Sequence, residues 1–444
     1  MKAIFSSKSF PLFFVITSFF VLSFVATFYH SKLNFYDSRS VLCSDQGGHA
    51  IYLSGFFLYD FSAKKMPQKF KDKLDIMGGF SIKNEKIFTK YQYGTALLMS
   101  PFWLIAHALA NEKDGLSLPY RYASNIAAVF YLLLSLSLLN NILSKHFSFK
   151  MRLAWFVICC VGTNIFYYTI IASGMYHIFA FFANSLFMYS LYHYESTAKT
   201  RKYFLLISLS IALMFIIRMN NLVIFPFLVL FTFKKYDTLA EYVSEKVALI
   251  KQIIIPTILF CIIAYIPQAL YNRFIFGSFI AESYPNESFL YLKNPFIAEV
   301  FLSPSCGLLL YSPLLFIPLC YFLKIKTLTD KINNVLILLI LMVFSYMYGS
   351  WWCYTLGCSF GYRTFTEHLP LFIITGLFMI SYLSGFINRN IIFAFSILSV
   401  FYTLKLMLGF NNCWCNITDD VWNWSLFIKK LTEIPPIVTN LLSR

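Results

Sequence analysis

The sequence predicts an all-α polytopic membrane protein, and three observations carry that expectation. The 444-residue chain is 59% hydrophobic. Only 13% of its residues are charged, against roughly 25% in a soluble domain. The apolar residues are also grouped. Stretches such as Phe10–Tyr29 and Val335–Tyr348 carry no charge, and several approach the roughly 20 residues that cross a bilayer core. The mean hydropathy of +0.66 agrees. Aromatics reach 20%, with 51 Phe and 30 Tyr, which suits lipid-facing surfaces and interfacial belts.

The apolar runs give eleven expected spans: residues 10–29, 123–143, 153–172, 177–193, 203–217, 220–233, 252–271, 306–323, 333–349, 368–387 and 390–408. The first run is longer than the apolar part of a signal peptide and no small-residue cleavage site follows, so it reads as a retained anchor. With the N-terminus cytoplasmic, most basic residues between spans fall inside, among them Lys145, Lys150, Arg152, Lys234, Lys235 and Lys324. The short outer connections hold mainly single arginines, Arg218, Arg273 and Arg363. This is the asymmetry expected of cytoplasmic loops.

Residues 30–122 then form one long exoplasmic loop within a single 1–444 domain. The apolar segment Gly94–Ala110 reads as an interfacial or re-entrant helix, because counting it as a span would move every later basic loop outside. The loop holds eight lysines between Lys64 and Lys90, and the charge rule is weak for loops of this length. The tail from residue 409 to 444 carries Trp414, Trp422 and Trp424 and reads as exoplasmic and interfacial.

The net charge of +16 follows from the loop lysines and arginines. No basic helix or nucleic-acid-binding motif accompanies it, so no nucleic-acid partner is expected. Of the ten cysteines, Cys159, Cys160, Cys261 and Cys320 lie in apolar runs and read as small hydrophobes. Cys353 with Cys358, and Cys413 with Cys415, lie in polar connections where pairing is open. Asn286, Asn416 and Asn423 begin glycosylation sequons that matter only in a eukaryotic lumen.

Charged groups next to hydrocarbon are costly and default to functional candidates. Asp45 follows the first span and opens an apolar helical pattern with His49 one turn on. Asp45, with Ser44, reads either as a helix cap or as a general base at the membrane edge. His49 reads as structural or as a second group in the same site. Lys90 precedes Tyr93 and the Gly94 helix start, where backbone N–H groups suit an anion. An ordinary interfacial lysine is the alternative. Arg363 precedes a span, and its planar fork can hold a phosphate. It could equally pair with Glu367, four residues on. His177, Arg218 and the Tyr271-Asn272-Arg273 group with Tyr284 are further outer-face candidates.

At these residues the chain resembles the membrane-embedded glycosyltransferases of the GT-C superfamily, nearest in type to bacterial members similar to dolichyl-phosphate-mannose–protein mannosyltransferases. Asp45 falls where that family has the acidic residue of its first exoplasmic loop. Lys90-Tyr91-Gln92-Tyr93-Gly94-Thr95 is similar to its Tyr-Pro-x-Gly stretch, with Gln92-Tyr93 in place of the Pro pair. Gly162-Thr163-Asn164 with Met175-Tyr176-His177 matches a pair of middle spans. Ile217-Arg218-Met219-Asn220-Asn221 resembles its Arg-Pro-x-Asn turn, and Ser359-Phe360-Gly361-Tyr362-Arg363 its late Ser-Phe-Gly-x-Arg motif. Leu302-Ser303-Pro304-Ser305-Cys306-Gly307 through Ser312-Pro313 lies between them in matching order.

The resemblance implies a GT-C type bundle of about eleven transmembrane helices in a bacterial inner membrane. It implies an inverting glycosyltransferase that takes a sugar from a polyprenyl-phosphate donor on the exoplasmic side. Partners would be that lipid-linked sugar, membrane lipid and an acceptor glycan, lipid or protein. Asp45 would be the base, and Arg363, Lys90 and Arg218 would hold the donor phosphate. His49, Asp37, His177, Tyr93 and Glu367 would support them. Gln46 stands where many members have a second acid, which leaves Asp37 as an alternative base. No cofactor is expected, although some relatives bind a divalent cation. The competing expectation is a transporter or flippase of a lipid-linked saccharide.

Overall fold

The computed structural model describes residues 12–196, 200–281, 287–357, 359–410 and 421–433. Along the chain, helices α1 (Leu12–Ser31) and α2 (Ser44–Ser54) precede a hairpin of β1 (Phe80–Lys83) and β2 (Lys86–Thr89). Then follow α3 (Gly94–Leu109), α4 (Leu118–Leu143), α5 (Phe149–Val161), α6 (His177–Ser196), α7 (Arg201–Ile217) and α8 (Leu239–Phe276). The last helices are α9 (Leu328–Gly349), α10 (Leu369–Leu383), α11 (Arg389–Gly409) and α12 (Trp424–Thr432).

Six helical segments among the described residues are long and apolar enough to cross a membrane: Leu12–Ser31, Leu118–Leu143, Leu239–Phe276, Leu328–Gly349, Arg363–Leu383 and Arg389–Gly409. They coincide with six of the eleven expected spans. On α1, Phe13, Phe20, Phe24 and Phe28 are exposed, which water disfavours and lipid accepts. Of the remaining expected spans, 177–193 and 203–217 are continuous helices, α6 and α7, and the other three are divided, for local reasons. α5 stops at Gly162, and Thr163 and Asn164 follow before a π-helical turn over Tyr167–Ile171. The 220–233 run divides into a 3-10 turn, Met219–Val223, and a six-residue helix, Phe225–Leu230. In the 306–323 run, a break at Ser312-Pro313 divides a four-residue helix, Leu308–Tyr311, from a shorter apolar helix of mixed 3-10 and α turns, Pro313–Leu323. α6 is 20 residues long but carries Asn184, Ser185, Ser190 and His193. α3, the expected interfacial helix, has 16 residues with Pro101 inside it.

The chain forms two compact units: residues 1–142, 167–222 and 247–286 in the first, and 143–166, 223–246 and 287–444 in the second. In the first unit, the segment after α1 has a small core of its own. Leu42, Ile51, Tyr59, Met66, Phe70, Met77, Phe80, Ile87 and Leu116 pack together beneath the hairpin. The hairpin departs from the all-α expectation. Its strands pair antiparallel from Phe80↔Thr89 to Lys83↔Lys86. The connecting Asn84 and Glu85 both take positive φ, 49° and 61°, the backbone that matches a two-residue turn to strand twist. α6 packs along α7, and Ser208 of α7 donates to the Ile253 carbonyl of α8 at 3.2 Å.

In the second unit, α9 starts with a capping box, Thr327 and Asp330 each binding the other's backbone N–H. One turn later, Asn333 bonds both backbone groups of Thr232, accepting at 3.1 Å and donating at 2.8 Å. Trp155 of α5 donates to the Ile373 carbonyl of α10 at 2.8 Å.

Candidate functional site

The first unit gathers several of the expected residues around the start of α2. Ser44, with φ of 52°, turns the chain into the helix, whose cap residue Cys43 makes no side-chain cap bond. Asp45 stands in the first turn, where the helix dipole favours a negative charge. Its Oδ1 accepts a hydrogen bond from the Tyr91 hydroxyl. One carboxylate oxygen of Asp45 therefore reaches another segment.

Two glycines let that segment approach. A Cβ on Gly48 would lie 2.1 Å from Tyr91 Cδ2. A Cβ on Gly79, whose φ is +81°, would lie 1.8 Å from the Ser44 carbonyl oxygen. Gln46 is a structural tie: its Oε1 accepts from the Gly174 N–H at 2.9 Å.

His49 is 1% exposed. Its ring lies 4.8 Å from that of Tyr91 and 5.7 Å from that of Tyr176. Among the described residues, neither ring nitrogen has a hydrogen-bond partner of ordinary geometry. Burial pushes the imidazole down to about 4. The Asp45 charge and the Gln92 carbonyl oppose this, while His177 and Arg218 add to it. At neutral pH His49 is uncharged and can donate one hydrogen bond and accept another.

Arg218 ends α7, and its guanidinium lies 4.7 Å from the Tyr176 ring centroid. His177 opens α6 against Tyr176 and Tyr168, at 4.1 and 4.7 Å. Gln92 ties the strand-to-helix segment to the Arg218 turn, accepting from the Met219 N–H at 3.1 Å. Asp45, His49, His177 and Arg218 thus converge, with Tyr91 and Tyr176 as the aromatic links between them. Lys90 is half-buried, with Nζ 5.8 Å from the Tyr91 ring centroid.

Asp37 stands apart from this cluster. Both its oxygens bind the Arg39 guanidinium, at 2.9 and 2.8 Å. That pairing holds its carboxyl below the usual range. Tyr93 turns the other way, and its hydroxyl donates to the Ala264 carbonyl at 2.5 Å. Burial pushes its phenol up to about 12. Tyr93 and Tyr52 line an apolar groove of about 630 Å³ with Phe56, Phe57, Leu270 and Phe274. The Tyr52 hydroxyl donates to the Tyr91 carbonyl at 2.7 Å, so the groove wall bears directly on the residue that holds Asp45.

Arg363 and Glu367 belong to the second unit. They lie in the 3-10 turn Arg363–His368 that leads into α10, with Arg363 half-buried and Glu367 buried. Three sequence motifs meet just before that turn. Ser312 donates to Asn164 Oδ1 at 2.9 Å, and a Cβ on Gly361, whose φ is +61°, would lie 2.7 Å from the same atom. Phe360 packs edge-on against Tyr311 at 5.4 Å.

Sequence reasoning missed Tyr91 and Tyr176. Both lie inside motifs it quoted, but a phenol reaching a carboxylate 46 residues away leaves no spacing signal. Tyr284, Asn286, Asn416, Cys358, Cys413, Cys415 and Trp414 fall outside the described residues. Asn423 caps α12 by accepting from the Leu426 N–H at 2.9 Å. No group of three or more His, Cys, Asp or Glu side chains placed to hold a metal occurs among the described residues. Together, the helices and their composition define a multi-pass helical membrane protein. No family model, curated protein or solved structure matches the chain.

Proposed function

We propose that this protein is an inverting glycosyltransferase that moves a sugar from a polyprenyl-phosphate donor to an acceptor on the exoplasmic side of a bacterial inner membrane. The observation that carries the reading is the convergence of one carboxylate, Asp45, with a guanidinium, Arg218, and a buried neutral imidazole, His49, around Tyr91 and Tyr176. The apolar groove whose wall bonds the Tyr91 backbone supports a donor with a hydrocarbon tail.

The chemistry is a direct displacement. An acceptor O–H or N–H gives its proton to Asp45 as its heteroatom bonds to the anomeric carbon. The carbon–oxygen bond to phosphate breaks on the opposite face, and the electron pair leaves on the phosphate. A phosphate needs no acid to leave when a cation meets the developing charge, and Arg218 is that cation. Arg363 and Lys90 keep the phosphate-binding roles that the resemblance implies for them, to be tested residue by residue.

The test uses the full chain in lipid nanodiscs with a panel of polyprenyl-phosphate hexoses and pentoses and a membrane extract as acceptor source. Mass spectrometry follows release of polyprenyl phosphate and the glycosylated product. Asp45→Asn is expected to lower release by about 100-fold or more, and Arg218→Ala by about 10- to 1,000-fold. Wild-type rates in both variants would end the reading. A flippase would move the lipid-linked saccharide intact, with no covalent transfer.

A further inference from the structure

We propose that Tyr91 is the positioning residue of this site: its hydroxyl holds the Asp45 carboxylate in one orientation, as an anion, ready to take the acceptor proton. The inference rests on the reading of Asp45 as the base and adds the residue that makes it effective.

The Tyr91 hydroxyl donates directly to Asp45 Oδ1. The ring is 8% exposed and packs against His49 at 4.8 Å. Its backbone is fixed from both sides. The Tyr91 carbonyl accepts from Tyr52 at 2.7 Å, and its N–H donates to Thr89 Oγ1 at 3.4 Å. Thr89 in turn donates to the Gly48 carbonyl of α2 at 2.9 Å. The helix that carries Asp45 and the segment that carries Tyr91 are therefore clamped at Gly48, where no side chain keeps the ring away. A carboxylate on a free side chain samples many orientations, and holding it in a reactive one removes that cost from the transfer step.

The groups facing the Asp45 cluster come from four elements. They are His49 on α2, Lys90 beside Tyr91, His177 at the start of α6 and Arg218 at the end of α7. Tyr91 keeps its own proton throughout. The proton taken from the acceptor ends on Asp45, and the Tyr91 hydrogen bond then weakens because its acceptor is neutral.

Two readouts on the full chain in nanodiscs test this. The first is an infrared titration of Asp45, identified as the carboxyl band lost in Asp45→Asn. Tyr91→Phe keeps the ring against Gly48 and removes only the donor. It is expected to raise the Asp45 midpoint by about one pH unit or more. Replacing Tyr91 with 3-fluorotyrosine, a stronger donor of the same shape, is expected to lower the midpoint. The second readout is sugar transfer from the polyprenyl-phosphate panel against pH. In Tyr91→Phe the acid limb should move up with the midpoint and turnover should fall about tenfold, while the donor KM stays within about twofold. The fluorinated protein should retain turnover.

An Asp45 midpoint that does not move in Tyr91→Phe overturns the inference. So does a midpoint that moves while the turnover profile stays put. If wild-type protein transfers no sugar from any donor in the panel, the glycosyltransferase reading falls, and the infrared midpoint alone then decides whether Tyr91 holds Asp45 as an anion.

Discussion

Gly48→Ala is the sharpest probe of the packing at the candidate site. Gly48 lies inside α2, and in an open helix the change would stabilise by about 1 kcal/mol. Here the new Cβ would sit 2.1 and 2.3 Å from Cδ2 and Cε2 of Tyr91, and 2.6 Å from the Gly79 carbonyl oxygen. The ring must move by more than about 1 Å to reach ordinary carbon–carbon contact, and that displacement breaks the Tyr91–Asp45 hydrogen bond. Overpacking costs about 1–3 kcal/mol, and losing a hydrogen bond to a charged group costs about 1.5–3 kcal/mol. Offset by the helix propensity, the net loss is about 1.5–5 kcal/mol. Equilibrium unfolding in mixed micelles, followed by circular dichroism, measures it. A cycle with Tyr91→Ala assigns the cause. Removing the ring should relieve part of the cost, while the Gly79 carbonyl keeps the rest. A neutral or stabilising Gly48→Ala, or costs that add to within about 0.5 kcal/mol in the double variant, would refute this account of the packing.

Other expectations concern titration and the surface. His49 is held neutral, with its imidazole pushed down to about 4. The unfolded chain takes up the proton near pH 6.5 and the folded chain does not, so stability falls as pH drops from about 6.5 to about 4 and then levels off. The full loss is about 3 kcal/mol, and His49→Gln should flatten that part of the stability curve. An unchanged curve would contradict the burial of an uncharged ring. Asp37→Asn should leave transfer intact and cost no more than about 1 kcal/mol, because the pair it breaks is partly exposed, with 34% and 25% of the side-chain surfaces open. A loss of transfer as deep as that of Asp45→Asn would restore Asp37 as the base.

Much of the helical framework was legible because hydrocarbon sets a length. α1, α4, α9 and α11 fall within a few residues of the expected spans. The expected spans divide where apolar composition persists but the backbone bonding does not. A break at Ser312-Pro313 divides one run, and Gly162 with Asn164 ends another. The hairpin escaped notice because each strand is four residues long and its turn is Asn84-Glu85 rather than the usual Asn-Gly. At the candidate site, Asp45 and His49 were readable from their one-turn spacing. Tyr91 was not, because its role depends on a glycine 43 residues earlier that lets the two segments touch.

α8 carries a consequence for where this protein can work. It is 38 residues long, or about 57 Å at the α-helical rise, nearly twice the roughly 30 Å of a bilayer's hydrocarbon. Exposed apolar side chains run along its whole length, from Leu239 and Val243 to Ile258, Ile262 and Leu270, but charge is confined to its ends. Glu241, Glu245, Lys246 and Lys251 mark the earlier turns and Arg273 the last one, leaving residues 252–272 without a charge. Only that charge-free stretch matches an acyl-chain layer, so membrane thickness bears directly on this helix. Lipids a few carbons longer or shorter would tilt it or drag its polar turns, at fractions of a kcal/mol per ångström of mismatch. Pro267 and Leu270, which line the apolar groove, ride on that stretch. The chain length of the host lipids should therefore tune whatever occupies the groove.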